Sequence, residues 1–287
     1  LWPERLLHLR GGSDQLKPLK TIISIGETPM LLLRSLILIL FVGFSAQASS
    51  NSLEQNVFDL SVGVKTLLLQ YYHVQADEGN QQLLKELNSN LSRVDERQQN
   101  VSQQLLSIQL TGDNTHPQMI DSHWQRFRTL MQQNIHEIEV NDFPEIQVVA
   151  MMRDASSAMI SELEKIGDEL RASGEFSVSG IERWTRNQKR LLLGITERYL
   201  ERAASSMGAP LSNGQDINLL CQEFAHGLDA LETATLSVPA QASMQRIRSQ
   251  WLFVEKSATN AEARLVPFLV MRYTNSMIDQ LSRIAAS

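Results

Sequence analysis

The sequence holds a single cysteine, Cys221, among 287 residues. That excludes an intrachain disulfide and every metal or haem motif built on paired cysteines. A lone cysteine on an apolar helix face, without nearby thiolate activators, is expected to be a buried small hydrophobe. Glycine (14 residues) and proline (8) are sparse and gather at a few places, leaving long uninterrupted segments between them. Sustained strand-like alternation is missing. So are a glycine-rich phosphate loop, G-x-S-x-G, H-E-x-x-H and C-x-x-C-H. Among the five histidines after residue 49 (His73, His116, His123, His136, His226), His136-Glu137 lacks the second histidine four residues on that a zinc-protease site needs. Glu162, Glu164, Asp168 and Glu169 read as a solvated acidic face. The expectation is a protein that is not an enzyme and takes no cofactor.

Positive charge is also scarce. The net charge is −6 over the whole sequence. Residues 49–287 carry 21 basic and 29 acidic side chains, a net charge of −8. Such a chain repels phosphate backbones and is not drawn to anionic membrane surfaces, so nucleic acid is not an expected partner.

The N-terminal region has an address. The first methionine is Met30, followed by Arg34, the apolar run Leu36–Phe44 and Ala46-Gln47-Ala48. A basic residue, a short apolar stretch and an A-x-A site in that order form a signal peptide, cleaved between Ala48 and Ser49. The run is well short of the roughly 20 residues of a spanning helix. No cysteine follows the cleavage site, so a soluble periplasmic protein is expected. Leu1–Pro29 carries no methionine and is expected to be an upstream extension of a misassigned start.

From residue 49 onward the apolar residues recur at helical spacing. Eight helices are expected: Ser52–Ala76, Gln81–Gln109, Gln118–Val140, Glu145–Ala172, Ile181–Ser206, Gln215–Thr235, one after Pro239, and Glu262–Ala286. Asp77-Glu78-Gly79-Asn80 and Asn141-Asp142-Phe143-Pro144 punctuate the first half. Pro267 is expected either to kink the last helix or to set its first turn.

The two halves match each other in order. Lys65-Thr66-Leu67-Leu68-Leu69 corresponds to Lys189-Arg190-Leu191-Leu192-Leu193. Glu86-Leu87 corresponds to Glu223-Phe224, and Met152-Arg153 with Met159-Ile160 corresponds to Met271-Arg272 with Met277-Ile278. Trp124 and Trp251 each precede the last helix of a half and read as core or seam residues. Each helix of about 25 residues is near 40 Å long and cannot bury its stripe alone. The expected fold is therefore all-α: tandem antiparallel four-helix bundles, stacked, made of residues 49–173 and 174–287. One elongated helical bundle is the alternative.

One segment concentrates cations: Arg183, Arg186, Lys189 and Arg190, in a helix N-terminal half where the dipole disfavours them. Arg183, Arg186 and Arg190 are spaced three and four apart, as on one helix face, and guanidinium groups bind small anions bidentately. Pairing with Glu182 and Glu197 on a solvated face is the other reading.

Asn187-Gln188-Lys189-Arg190-Leu191, with Ile195, Tyr199 and Leu200 following, resembles the signature helix of periplasmic sensor domains. These belong to type IV pilus methyl-accepting chemotaxis transducers and nitrate/nitrite sensor kinases. Val62-Gly63 with Leu67-Leu68-Leu69-Gln70 looks like a fainter copy. Asn187, and Val64 in that copy, stand where the family has its first arginine. The resemblance implies four-helix sensor modules, often homodimeric, that signal through a membrane. No second apolar span and no output domain follow within the sequence, so a membrane-bound signalling partner is expected. The sequence thus points to an exported sensor-like bundle that binds a small molecule, an anion among the candidates, at Arg183, Arg186, Gln188, Lys189 and Arg190. A structural or protein-interaction role in the cell envelope is the alternative.

Overall fold

Two helices have almost no solvent-facing side. A computed structural model describes residues 29–108, 115–174, 178–205, 216–232, 236–260 and 262–287, with side chains from Leu53 onward. Among these are eight α-helices and no strand: α1 (Pro29–Ala76), α2 (Gln81–Leu106), α3 (His116–Asn141), α4 (Ile146–Ala172), α5 (Gly180–Ala204), α6 (Ile217–Glu232), α7 (Val238–Thr259) and α8 (Pro267–Ala285). The expected upstream extension lies outside the described residues, apart from Pro29. The expected signal peptide and its Ala48–Ser49 site fall where only the helical backbone of α1 is described. No helix among the described residues is long and apolar enough to cross a membrane.

Residues 53–76 of α1 and 191–204 of α5 contain no exposed side chain. A helix covered on every side belongs in the interior. The Lys65–Glu197 and Glu54–Arg186 ion pairs both join α1 to α5 across 132 residues of sequence. A constant difference means that the two helices run parallel.

Around this pair the rest is antiparallel. α2 lies on α1, with Asn56 Nδ2 donating to Gln104 Oε1 and Arg97 Nη1 to the Asp59 carbonyl. α3 and α4 close the first unit, where Arg171 of α4 meets Glu54 of α1. α5 to α8 close the second, with Thr196 and Thr274 sharing a buried hydrogen bond of 2.8 Å. The tandem units lie side by side rather than end to end. A single apolar cluster runs through both, from Leu60, Tyr71 and Trp124 to Tyr199, Phe224 and Trp251. Ala46–Ser287 forms one compact body.

The ends follow local chemistry. Asn80 caps α2 by accepting from the Gln82 and Leu83 amides, and Ser179 and Ser237 cap α5 and α7. Gly79, with φ of +76°, turns α1 into α2, and a Cβ there would come within 2.8 Å of Ile138. The last helix starts at Pro267, five residues later than periodicity places it. Asn260 accepts from the Glu262 and Ala263 amides to hold a turn, and the Tyr199 hydroxyl accepts from Val266 N at 2.6 Å. Pro267 therefore sets the first turn and makes no kink.

Candidate functional site

The cation-rich segment is the first part of α5, and its arginines do not converge. Arg183 is exposed. Arg186 is only 6% exposed and is already occupied. Its Nη1 donates to Glu54 Oε1 at 2.5 Å, and its Nη2 donates to Gln55 Oε1 at 2.7 Å and Glu182 Oε1 at 2.5 Å. Burial opposes its charge, but the carboxylates of Glu54 and Glu182 outweigh that and raise its pKa. Arg190 pairs with Glu164 at 3.3 Å. Arg186, Lys189 and Arg190 all lie over the buried Phe58 ring, at 4.9, 5.8 and 5.4 Å from its centroid. Gln188 points elsewhere: it is buried against Gly227, where a Cβ would overlap its amide. The carboxylate on the Arg186 guanidinium is thus the protein's own Glu54.

Lys189 differs from these neighbours. It is 7% exposed, yet among the described residues it has no hydrogen-bond acceptor and no ion-pair partner. Burial lowers its pKa, Asp59 and Asp279 work against that from a distance, and Arg186 adds to the lowering. It lines a cleft of about 370 Å³ between α1, α2 and α8. α2 contributes Asn90, Arg93 and Arg97, α1 contributes Asp59 and Gln70, and α8 contributes Asn275 and Asp279. Gly63 lets the two first helices approach, since a Cβ there would sit 3.2 Å from Val94. Arg93, Arg97, Lys189, Asp59 and Asp279 take part in no salt bridge among the described residues, whereas Arg171, Arg186, Arg190 and Lys65 all do. The buried Gln70 Oε1 has no hydrogen-bond partner. Gln70 and Asn275 also line an adjoining cleft of about 250 Å³ that holds His73, Glu86 and Arg272.

Of the five candidate ligand-binding residues (Arg183, Arg186, Gln188, Lys189 and Arg190), only Lys189 reaches this cleft. Its other charges come from α1, α2 and α8, and no short motif links them. The repeat offers one contrast. Lys65, the sequence counterpart of Lys189, bonds to Glu197 at 2.5 Å. Lys65 lines a third cleft, about 200 Å³ between α1, α4 and α5, whose charges are paired within the chain by Lys65–Glu197 and Arg190–Glu164.

The acidic face of α4 also needs correction. Asp168 is largely exposed, but Glu162 is 2% exposed. Glu162 Oε1 lies 2.7 Å from His116 Nδ1, and Glu169 Oε2 lies 3.0 Å from His116 Nε2. The i,i+7 spacing of Glu162 and Glu169 places both on the stripe that meets the start of α3. Burial lowers the basicity of His116, but the hydrogen bonds and charges of Glu162 and Glu169 outweigh it, and the pKa is raised. A raised folded-state value gives stabilisation that is complete below the unfolded value of about 6.5 and lost as pH rises through the folded one. The melting-temperature advantage of the wild type over His116→Gln is thus expected to be larger at about pH 6 than at about pH 9. An advantage independent of pH sinks this assignment. Burial lowers the pKa of His73, against Asp77 and Glu86, so its contribution is lost on acidification. Only the difference between wild type and variant isolates His116.

Cys221 is 2% exposed, and burial, with the charges of Glu255 and Asp216, pushes its thiol up to about 12. It is a protonated core residue, as its place on an apolar stripe implies. Among the described residues no group of three or more His, Cys, Asp and Glu side chains is placed to hold a metal ion. No protein-family model, curated protein or solved structure matches this chain.

Proposed function

We propose that this protein is an exported, non-catalytic, sensor-like helical bundle in the periplasm. It binds a small charged ligand in the cleft between α1, α2 and α8. The observation that carries the reading is Lys189: a buried amine without an acceptor among the described residues, lining a cleft whose other four charges also form no ion pair among them. A buried cation without a partner costs stability, and an incoming anion removes that cost. The cleft volume lies at the small end of the range of about 300–1,000 Å³ typical of ligand sites. Four helices contribute to the cleft, so a ligand there biases their relative positions, which is what a signal to a membrane-bound partner or a second copy of the chain requires.

The test is a thermal-shift screen of the full-length chain against small anions, amino acids and metal salts. A ligand at about 100 times its Kd adds roughly 2.7 kcal/mol of stability, a rise of about 5–10 °C. The shift is expected to vanish in Arg97→Ala/Lys189→Met and to persist in Arg183→Ala/Arg190→Ala. Loss in the second variant alone places the ligand on the arginine face and removes the cleft.

One observation favours a second reading, an interaction protein of the cell envelope. Val140, Phe143 and Ile146, around the α3–α4 turn, are 63%, 57% and 55% exposed, the kind of apolar surface that partners cover. A Phe143→Ser/Ile146→Ser variant that loses a pulled-down envelope partner, in a protein with no ligand shift, supports this reading.

A further inference from the structure

We infer that the ligand of the α1–α2–α8 cleft is a zwitterion of the amino-acid type, with its carboxylate held by Lys189 and the α2 arginines and its ammonium by Asp59 and Asp279. The inference rests on the cleft being the binding site and adds the chemical class of the ligand.

The charges are separated by helix. Arg93 and Arg97 stand one turn apart on α2 and give that wall a positive character. Arg97 Nη1 is held at 3.1 Å by the Asp59 carbonyl, and Arg93 Nη2 by Asn90 Oδ1. Each guanidinium keeps further N–H groups for a ligand. The α1 and α8 walls carry the carboxylates. Among the described residues the Asp279 carboxylate of α8 accepts no hydrogen bond, and the Asp59 carboxylate of α1 accepts only from Gln55, at 3.0 Å. Lys189 of α5 also lines the cleft, within the electrostatic reach of both carboxylates and, among the described residues, in an ion pair with neither.

A simple anion answers only half of this arrangement. It would satisfy Lys189 and the arginines and would then face Asp59 and Asp279 at short range, where like charges repel. A simple amine has the converse problem. A molecule with a carboxylate and an ammonium a few ångströms apart complements both walls at once. Gln70, whose buried Oε1 has no partner, and Asn275 supply the amide groups that recognise a polar side chain in the adjoining cleft. The paired counterpart cleft, in which Lys65 is held by Glu197 and Arg190 by Glu164, lacks this open set of charges.

The experiment is calorimetric titration of the full-length chain with L-glutamate, L-glutamine, N-acetyl-L-glutamate and glutarate. The two free amino acids are expected to bind. The N-acetyl compound and glutarate, which lack the ammonium, are expected to bind at least about tenfold more weakly, because a site built around paired polar groups rejects an analogue that leaves them unmatched. Asp279→Asn, at an exposed position, and Lys189→Met are each expected to weaken L-glutamine binding by about tenfold or more, the size of one lost charge-assisted contact. Equal affinity for glutarate or the N-acetyl compound overturns the zwitterion and leaves an anion-binding cleft standing. Binding of none of the four overturns it too, and the broad thermal-shift screen then decides the cleft separately. Amino-acid binding that survives both substitutions overturns the placement.

Discussion

Replacing Glu54 with alanine lowers the unfolding free energy by about 3–5 kcal/mol, the range for removing one partner of a buried ion pair. Glu54 is 3% exposed and lies between Arg171 and Arg186, each with a guanidinium N–H 2.5 Å from the same carboxylate oxygen. Arg171 is one-third exposed and rehydrates once the carboxylate is gone. Arg186 cannot, because it is sealed between α1 and α5 with Phe58 beneath it. Glu182 remains to it but is more exposed and screens less. For a chain of this size the loss appears as a fall in melting temperature of about 10 °C. The double variant Glu54→Ala/Arg186→Met leaves no buried unpaired charge and is expected to cost clearly less than the two single changes together. Chemical denaturation of the four proteins measures the coupling. A Glu54→Ala cost below about 1 kcal/mol returns the α1–α5 ion pairs to the status of surface pairs.

Trp124→Ala costs about 3–5 kcal/mol, the range for emptying a large aromatic site in a packed core. Trp124 is fully buried, its ring lies 5.9 Å from Phe127, and its indole Nε1 donates to Asp95 Oδ1 at 2.6 Å. Its repeat partner separates packing from hydrogen bonding. Trp251 is also buried, with its ring 4.5 Å from Phe224, but its Nε1 has no hydrogen-bond partner among the described residues. Trp124→Phe removes a bond to a carboxylate, worth about 1.5–3 kcal/mol, and leaves Asp95 with the weaker contacts to Gln99 at 3.3 Å and Arg128 at 3.4 Å. Trp251→Phe removes a donor that bonds to nothing and is expected to cost less. Equal costs for the two tryptophan-to-phenylalanine changes contradict the assignment of the Trp124–Asp95 bond as a stabilising contact.

The helices were legible because their ends are chemical. Gly79, left-handed, and the capping residue Asn80 mark the turn between α1 and α2, and Pro239 and Pro267 sit in first turns. The periodicity missed the start of α8, where residues 262–266 form an Asn260-capped turn before Pro267 allows the helix to begin. The cation-rich segment was legible as a place where charge had to be offset. Its partner was not, because Glu54 is 132 residues away on a helix whose sequence gives no sign of facing it. Helical spacing put Arg183, Arg186 and Arg190 on one face. A face about 100° wide spans both the buried and the exposed side of a seam, and the α1–α5 contact runs between Arg186 and its neighbours.

From the sequence alone it follows that the chain is all-α, where its helices turn, and that Trp124, Trp251 and Cys221 belong inside. Those properties follow from local geometry and from side chains that cannot remain in water. Packing between distant helices set the two units side by side, with α1 parallel to α5. It also decided that Glu54 occupies Arg186, and that Arg93, Arg97, Lys189, Asp59 and Asp279 meet in one cleft. An apolar stripe fixes which side of a helix must be covered but not which helix covers it. The electrostatic partners of a side chain are set by that second choice.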